Sequence, residues 1–80
     1  MKSILSNRET EVLGYIADEF TTSEIGNKLH LSKNTIETHR RNILSKLGVR
    51  NTAGMIRRGF ELGFLKLNSN DNSYAIQTSY

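Results

Sequence analysis

The 80-residue chain contains no cysteine, which excludes disulfides and any metal site built on thiolates. No apolar run approaches the length of a membrane span, and no signal-peptide pattern is visible, so a soluble cytoplasmic protein is expected. Ser, His and Asp are present, yet nothing orders them as a catalytic triad, and no glycine-rich phosphate loop exists. His30 has no second ligand at metal spacing. These absences predict a protein that is not an enzyme and takes neither cofactor nor metal. Eighty residues suffice for one small domain with a single modest core.

What the chain does have is charge, unevenly placed. From Met1 to Asn27, Lys2 and Arg8 face five carboxylates, a balance of −3. From Lys28 to Arg58, eight Lys and Arg residues face Glu37 alone, a balance of +7. From Gly59 onward the balance is −1, and the whole chain carries +3. A basic block inside an otherwise acidic chain is the electrostatic footprint of a polyanion partner. Membrane surfaces are polyanionic too, but the charged faces lack the Trp and Phe that wedge into lipid. Nucleic acid is the expected partner, and no membrane is.

Four helical segments are predicted and no strand. Ser6 caps the first and forms a capping box with Glu9; Val12, Leu13, Ile16 and Ala17 give it an apolar stripe. Thr21 makes the same box with Glu24 and opens a short second helix carrying Ile25 and Leu29. Leu31 follows in a three-residue connection, placed to pin the angle to the next helix. The third helix spans about 33–47, capped by Ser32 and stopped by Gly48. Asn51 caps a fourth, whose core face is expected to be Ala53, Ile56 and Phe60, with a stop near Gly63. Phe64 and Leu65 are expected to fold back and close the core. From Lys66 to Tyr80 the chain turns polar and is expected to be a largely disordered tail, so the domain is placed at 1–65 and the tail at 66–80.

The third helix is the most informative of these. At about 100° per residue, Ile36, Ile43 and Leu47 fall on one side. Asn34, Glu37, Thr38, Arg41 and Ser45 fall on the other. Base edges in a DNA major groove are recognised by Arg, Asn, Glu and Thr, which is the composition of that second side. His39 borders the apolar face and is expected to pack there, with a ring nitrogen bonded to backbone or phosphate. A short helix joined by a tight turn to a longer basic helix is the pattern of a helix-turn-helix.

The segments LSNRETEVL, TTSEIGNKL, LSKNTIETHRRNILSKLGV and NTAGMIRRGFELGFL resemble, in order and spacing, the LuxR-type helix-turn-helix domain. That domain is the effector module of many response regulators and quorum-sensing receptors. The resemblance covers about residues 5–65, and the run from Leu31 to Val49 is its specific part. It implies an all-α, four-helix domain whose third helix enters the major groove of double-stranded DNA. It implies base contacts from Glu37, Thr38 and Arg41, to which the helical pattern adds Asn34. Phosphate contacts are implied for Thr22, Ser23, Lys33, Thr35, Lys46 and Arg50, and the basic clustering adds Arg40. The family usually dimerises through its fourth helix; here Met55 and Leu62, with Gly59 beside them, are expected on that helix's outer face.

Four positions depart from the family's pattern. Asn7 stands where Pro is frequent, and Glu19 where a Gly ends the first helix, which leaves that terminator unexplained. Gly26 replaces a favoured Ala and costs roughly 1 kcal/mol of helix propensity unless close packing requires it. Glu37 is acidic where basic or neutral residues are commoner, and should narrow sequence choice rather than add affinity. The expected function is sequence-specific DNA binding in transcriptional regulation, as a response-regulator output domain or a stand-alone regulator. The alternatives are a sigma-factor-like promoter-reading helix-turn-helix and a basic protein–protein adaptor.

Overall fold

The computed structural model describes residues 4–66, and the expected disordered segment lies, apart from Lys66, outside them. Among the described residues there are four helices and no strand: α1 Asn7–Ala17, α2 Thr22–Leu29, α3 Lys33–Leu47 and α4 Thr52–Glu61. Their starts follow from side chains that satisfy backbone donors left open at a helix N-terminus. Ser6 Oγ accepts from the Glu9 amide at 3.0 Å while Glu9 Oε1 accepts from the Ser6 amide at 2.9 Å. Thr21 and Glu24 repeat that exchange at 3.1 and 2.8 Å. Ser32 Oγ caps α3 through the Thr35 amide, and Asn51 Oδ1 caps α4 through the Gly54 amide.

Each helix ends on a residue in the left-handed region: Glu19, His30, Gly48 and Gly63. The missing terminator of α1 is thus Glu19 itself. Its amide donates to the Ile16 carbonyl and the Phe20 amide to the Tyr15 carbonyl, both at 3.0 Å. That pair of bonds is a Schellman motif, and the Tyr15 and Phe20 rings close over it with centroids 5.1 Å apart. His30 takes the same conformation in the turn between α2 and α3, where the Leu31 amide reaches back to the Gly26 carbonyl. A Cβ on Gly26 would sit 2.7 Å from the Leu31 carbonyl oxygen. Close packing in the turn therefore accounts for a glycine inside α2.

The core joins Val12, Leu13 and Ile16 of α1, Ile25 of α2, Ile36, Ile43 and Leu47 of α3, and Met55 of α4. Leu5 and Leu65, from the two ends of the domain, complete it. Helices α1 and α3 touch each other and both remaining helices, so α3 is held from three directions with one side left to solvent.

Helix α4 is turned differently from expectation. Met55 is 0% exposed and Gly59 is buried, while Ala53, assigned to the core, is exposed. The inner line is Met55–Gly59, flanked by half-buried Ile56 and Phe60; the helix is rotated by about one residue, ~100°. Gly63 turns the chain back so that Leu65 lies over Gly59, and Leu13 of α1 crosses the same place. A Cβ at 59 would meet Leu65 Cδ1 at 2.7 Å and Leu13 Cδ2 at 3.2 Å. Met55 and Gly59 are thus core residues and cannot form an outer contact face. Leu62, 43% exposed, is the one member of that expected surface still facing solvent.

Candidate nucleic-acid interface

The solvent side of α3 gathers the expected residues. Asn34, Thr38, Arg41 and Ser45 are exposed, and Glu37 is half-buried beside them. Ile36, Ile43 and Leu47 point the other way into the core, so their burial fixes which side of α3 is offered outward. The Thr38 hydroxyl donates to the Asn34 carbonyl at 3.1 Å, and Arg41 Nη2 donates to Thr38 Oγ1 at 3.2 Å. Asn34, Thr38 and Arg41 thus form one connected row along about two turns of helix.

Further expected residues stand at two helix N-termini. Thr22 and Ser23 open α2, and Lys33 and Asn34 open α3, with main-chain donors and the positive end of each helix dipole available to an anion. Ser23, Lys33 and Arg50 are exposed, and Thr22 and Thr35 are half-buried, the Thr35 hydroxyl resting 2.9 Å from Ser32 Oγ. Neither Lys33 nor Arg50 has an ion pair among the described residues.

Two of the cations expected at phosphates have partners inside the domain. Lys46 Nζ bonds Glu9 Oε1 at 2.8 Å, joining the end of α3 to the start of α1. Arg40 donates from Nη2 to the hydroxyl of Thr52, the first residue of α4. Glu9 is 5% exposed. Burial pushes its carboxyl pKa up, but the Lys46 hydrogen bond, the Ser6 amide and the Lys46 charge outweigh that and hold it below the usual carboxylate value. A signal for the pair was present in the sequence: Glu9 stands on the same helical line as Val12, Leu13 and Ile16, where a carboxylate needs a cation. His39 is half-buried, and its Nδ1 is buried with no partner among the described residues, so the expected backbone bond is not made by that nitrogen.

The profile of a family described as "Bacterial regulatory proteins, luxR family" matches residues 3–58. The chain belongs to the LuxR family of bacterial regulatory proteins. Among LuxR-family relatives, it is 48% identical over 59 residues to the uncharacterized response regulatory protein YgeK of Escherichia coli K12, covering 74% of this chain and 40% of that protein. It is 40% identical over 53 residues to the oxygen regulatory protein NreC of Staphylococcus aureus JH9, covering 66% of this chain and 24% of NreC. The chain thus spans two fifths or less of the length of these relatives. Its fold matches the solved structure of the transcription factor GerE with a TM-score of 0.79 at 31% identity, over 84% of this chain and all of GerE. The response regulator ChrA of a heme-sensing two-component system matches with a TM-score of 0.75 at 31% identity, over 81% of this chain and 32% of ChrA. LuxR-type helix-turn-helix domains bind double-stranded DNA, and α2, the His30–Ser32 turn and α3 are that element here.

Proposed function

We propose that this LuxR-type domain binds double-stranded DNA sequence-specifically in transcriptional regulation, with α3 in the major groove. The observation that carries it is the outward row of Asn34, Glu37, Thr38 and Arg41 on a helix whose other side is locked in the core. Arg matches guanine bidentately, Asn matches adenine, and a carboxylate accepts from cytosine N4. Thr22, Ser23, Thr35, Lys33 and Arg50 serve as phosphate anchors around this row. Arg40 and Lys46, engaged with Thr52 and Glu9, contribute to affinity chiefly by holding α3 in place. In the cell the domain acts in the cytoplasm, as the output part of a two-component response regulator or as a small stand-alone regulator. Two copies pair on adjacent half-sites through the solvent side of α4, where Leu62 is exposed. It performs no enzymatic reaction and needs no cofactor.

Selection of binding sites from random duplexes at fixed salt tests this proposal. A defined motif is expected, with log affinity falling linearly against log salt. Lys33→Ala should lower that slope by roughly 1, the loss of one phosphate contact. Binding that shows no motif and no salt dependence would favour an adaptor for an acidic protein instead.

A further inference from the structure

The geometry points to Thr38 as a positioning residue that sets base choice through Arg41, rather than as a reader of bases by its own hydroxyl. The inference rests on the proposed placement of α3 in the major groove. A threonine hydroxyl has one hydrogen. That of Thr38 is spent on the Asn34 carbonyl, four residues back, at 3.1 Å. With its hydrogen turned inward along the helix, the oxygen presents a lone pair outward, and Arg41 Nη2 donates to it at 3.2 Å. The hydroxyl therefore has no proton to give a guanine O6 or N7, and its interaction with Arg41 is that of an acceptor.

The consequence concerns Arg41. An exposed arginine samples many rotamers, and bidentate contact with guanine requires one planar orientation. Three residues apart on α3, Thr38 and Arg41 share a face, so one guanidinium nitrogen can be tied while the rest of the fork stays free. Backbone and hydroxyl together make a short relay: the Asn34 carbonyl orients the Thr38 hydroxyl, and the hydroxyl orients Arg41. Within this relay Asn34 has a separate capacity, because it is the main-chain oxygen that is used and the side-chain amide has no bond among the described residues. Specificity at the Arg41 base pair is thus predicted to depend on a residue that does not itself hydrogen-bond the base.

The experiment compares the full chain with Thr38→Val, Thr38→Ser, Arg41→Ala and Thr38→Val/Arg41→Ala, by binding-site selection and competition titrations at one salt concentration. Val keeps the shape of Thr without the hydroxyl, and Thr38 is exposed, so circular dichroism should show all four variants folded. Thr38→Val is expected to relax preference at the same base pair as Arg41→Ala, by roughly three- to tenfold, the scale of one hydrogen bond. Thr38→Ser should preserve that preference, and the double variant should match Arg41→Ala alone at that pair. Relaxation at a different base pair, or full additivity in the double variant, would make Thr38 an independent base reader and overturn the inference. An unchanged motif in Thr38→Val would also overturn it while leaving DNA recognition by α3 intact. A parent chain that selects no motif would overturn both.

Discussion

Helices α3 and α4 lie side by side and present their sequences in opposite ways. On α3, Ile36, Ile43 and Leu47 line up on one side and every exposed neighbour is polar, so burial allows only one orientation. On α4, Met55, Gly59, Ile56, Phe60 and Ala53 spread over an arc of about 160°, with Arg57, Arg58 and Glu61 opposite, so the pattern does not say which residues form the centre of the buried side. Its orientation is decided by what arrives from elsewhere, Leu65 returning after Gly63 and Leu13 crossing from α1. A narrow apolar stripe carries its own orientation; a broad one leaves its centre to be set by neighbours distant in sequence. The functional difference follows. The residues of α3 are available for recognition, while the central residues of α4 serve the core.

The largest effect expected is from Met55→Glu. Met55 is fully enclosed, and a carboxylate there would lack both water and a partner. The cost should rival the total stability of a domain this size, about 5 kcal/mol or more, and abolish cooperative unfolding in urea. Ala53→Glu, two residues earlier and on the exposed side of the helix, should stay within about 0.5 kcal/mol of the parent. A folded Met55→Glu beside a damaged Ala53→Glu would restore the opposite orientation of α4.

Arg41→Ala should produce the complementary outcome on α3. The melting temperature should stay at the parent value, because the side chain is exposed and bonds only Thr38 among the described residues. Affinity for the best DNA site should fall by roughly 1–3 kcal/mol, with choice relaxed at one base pair. A matching fall on random duplex would instead make Arg41 a phosphate contact.

Lys46→Ala sharpens the boundary between the two roles, since Lys46 stands on the recognition helix but bonds Glu9 of α1. Its loss leaves a buried carboxylate without its cation and should cost roughly 1–2 kcal/mol at neutral pH. The folded-state pKa of Glu9 is depressed, so its contribution is present above the ordinary carboxylate value of 4.5 and is lost as pH falls through the folded value. The gap between parent and Lys46→Ala should therefore narrow as the pH falls below that ordinary value. The slope of DNA affinity against salt should stay near that of the parent. A slope lower by a full unit, with stability unchanged, would assign Lys46 to a phosphate.

Much of this was legible in the sequence, for identifiable reasons. Ser6, Thr21, Ser32 and Asn51 mark helix starts because capping is local chemistry between residues three apart. The outward row of α3 was legible because its polar and apolar residues do not mix. The return of Leu65 to the core was legible too, but its seat over Gly59, which turns α4, was not, nor was the long-range bond of Arg40 to Thr52. Lys46 and Glu9 are 37 positions apart, and only the misplaced charge of Glu9 on an apolar line hints at their pairing.

The smallest effect expected is a gain, and it comes from the end of α1. Glu19 adopts φ +70°, where the Cβ of an L-residue crowds the following carbonyl; Gly48 and Gly63 hold the equivalent positions after α3 and α4 without that crowding. The Schellman bonds and the Tyr15–Phe20 contact keep Glu19 there despite its side chain. Its carboxylate also lies at the negative end of the α1 dipole, a second unfavourable placement. Glu19→Gly should remove both penalties, partly offset by the greater freedom of glycine in the unfolded chain, for a net gain of about 0.5–1 kcal/mol in urea unfolding. Glu19→Asn separates the two causes, since asparagine tolerates the left-handed region better and carries no charge. If charge dominates, Asn should match Gly and the advantage should shrink in high salt; if backbone strain dominates, Gly should exceed Asn at every salt concentration. DNA affinity should not change in either variant beyond the small charge effect, because Glu19 is exposed on the α1–α2 turn and off the α3 row. A loss of stability in both would mean that the Glu19 side chain, rather than the backbone bonds around it, holds the end of α1.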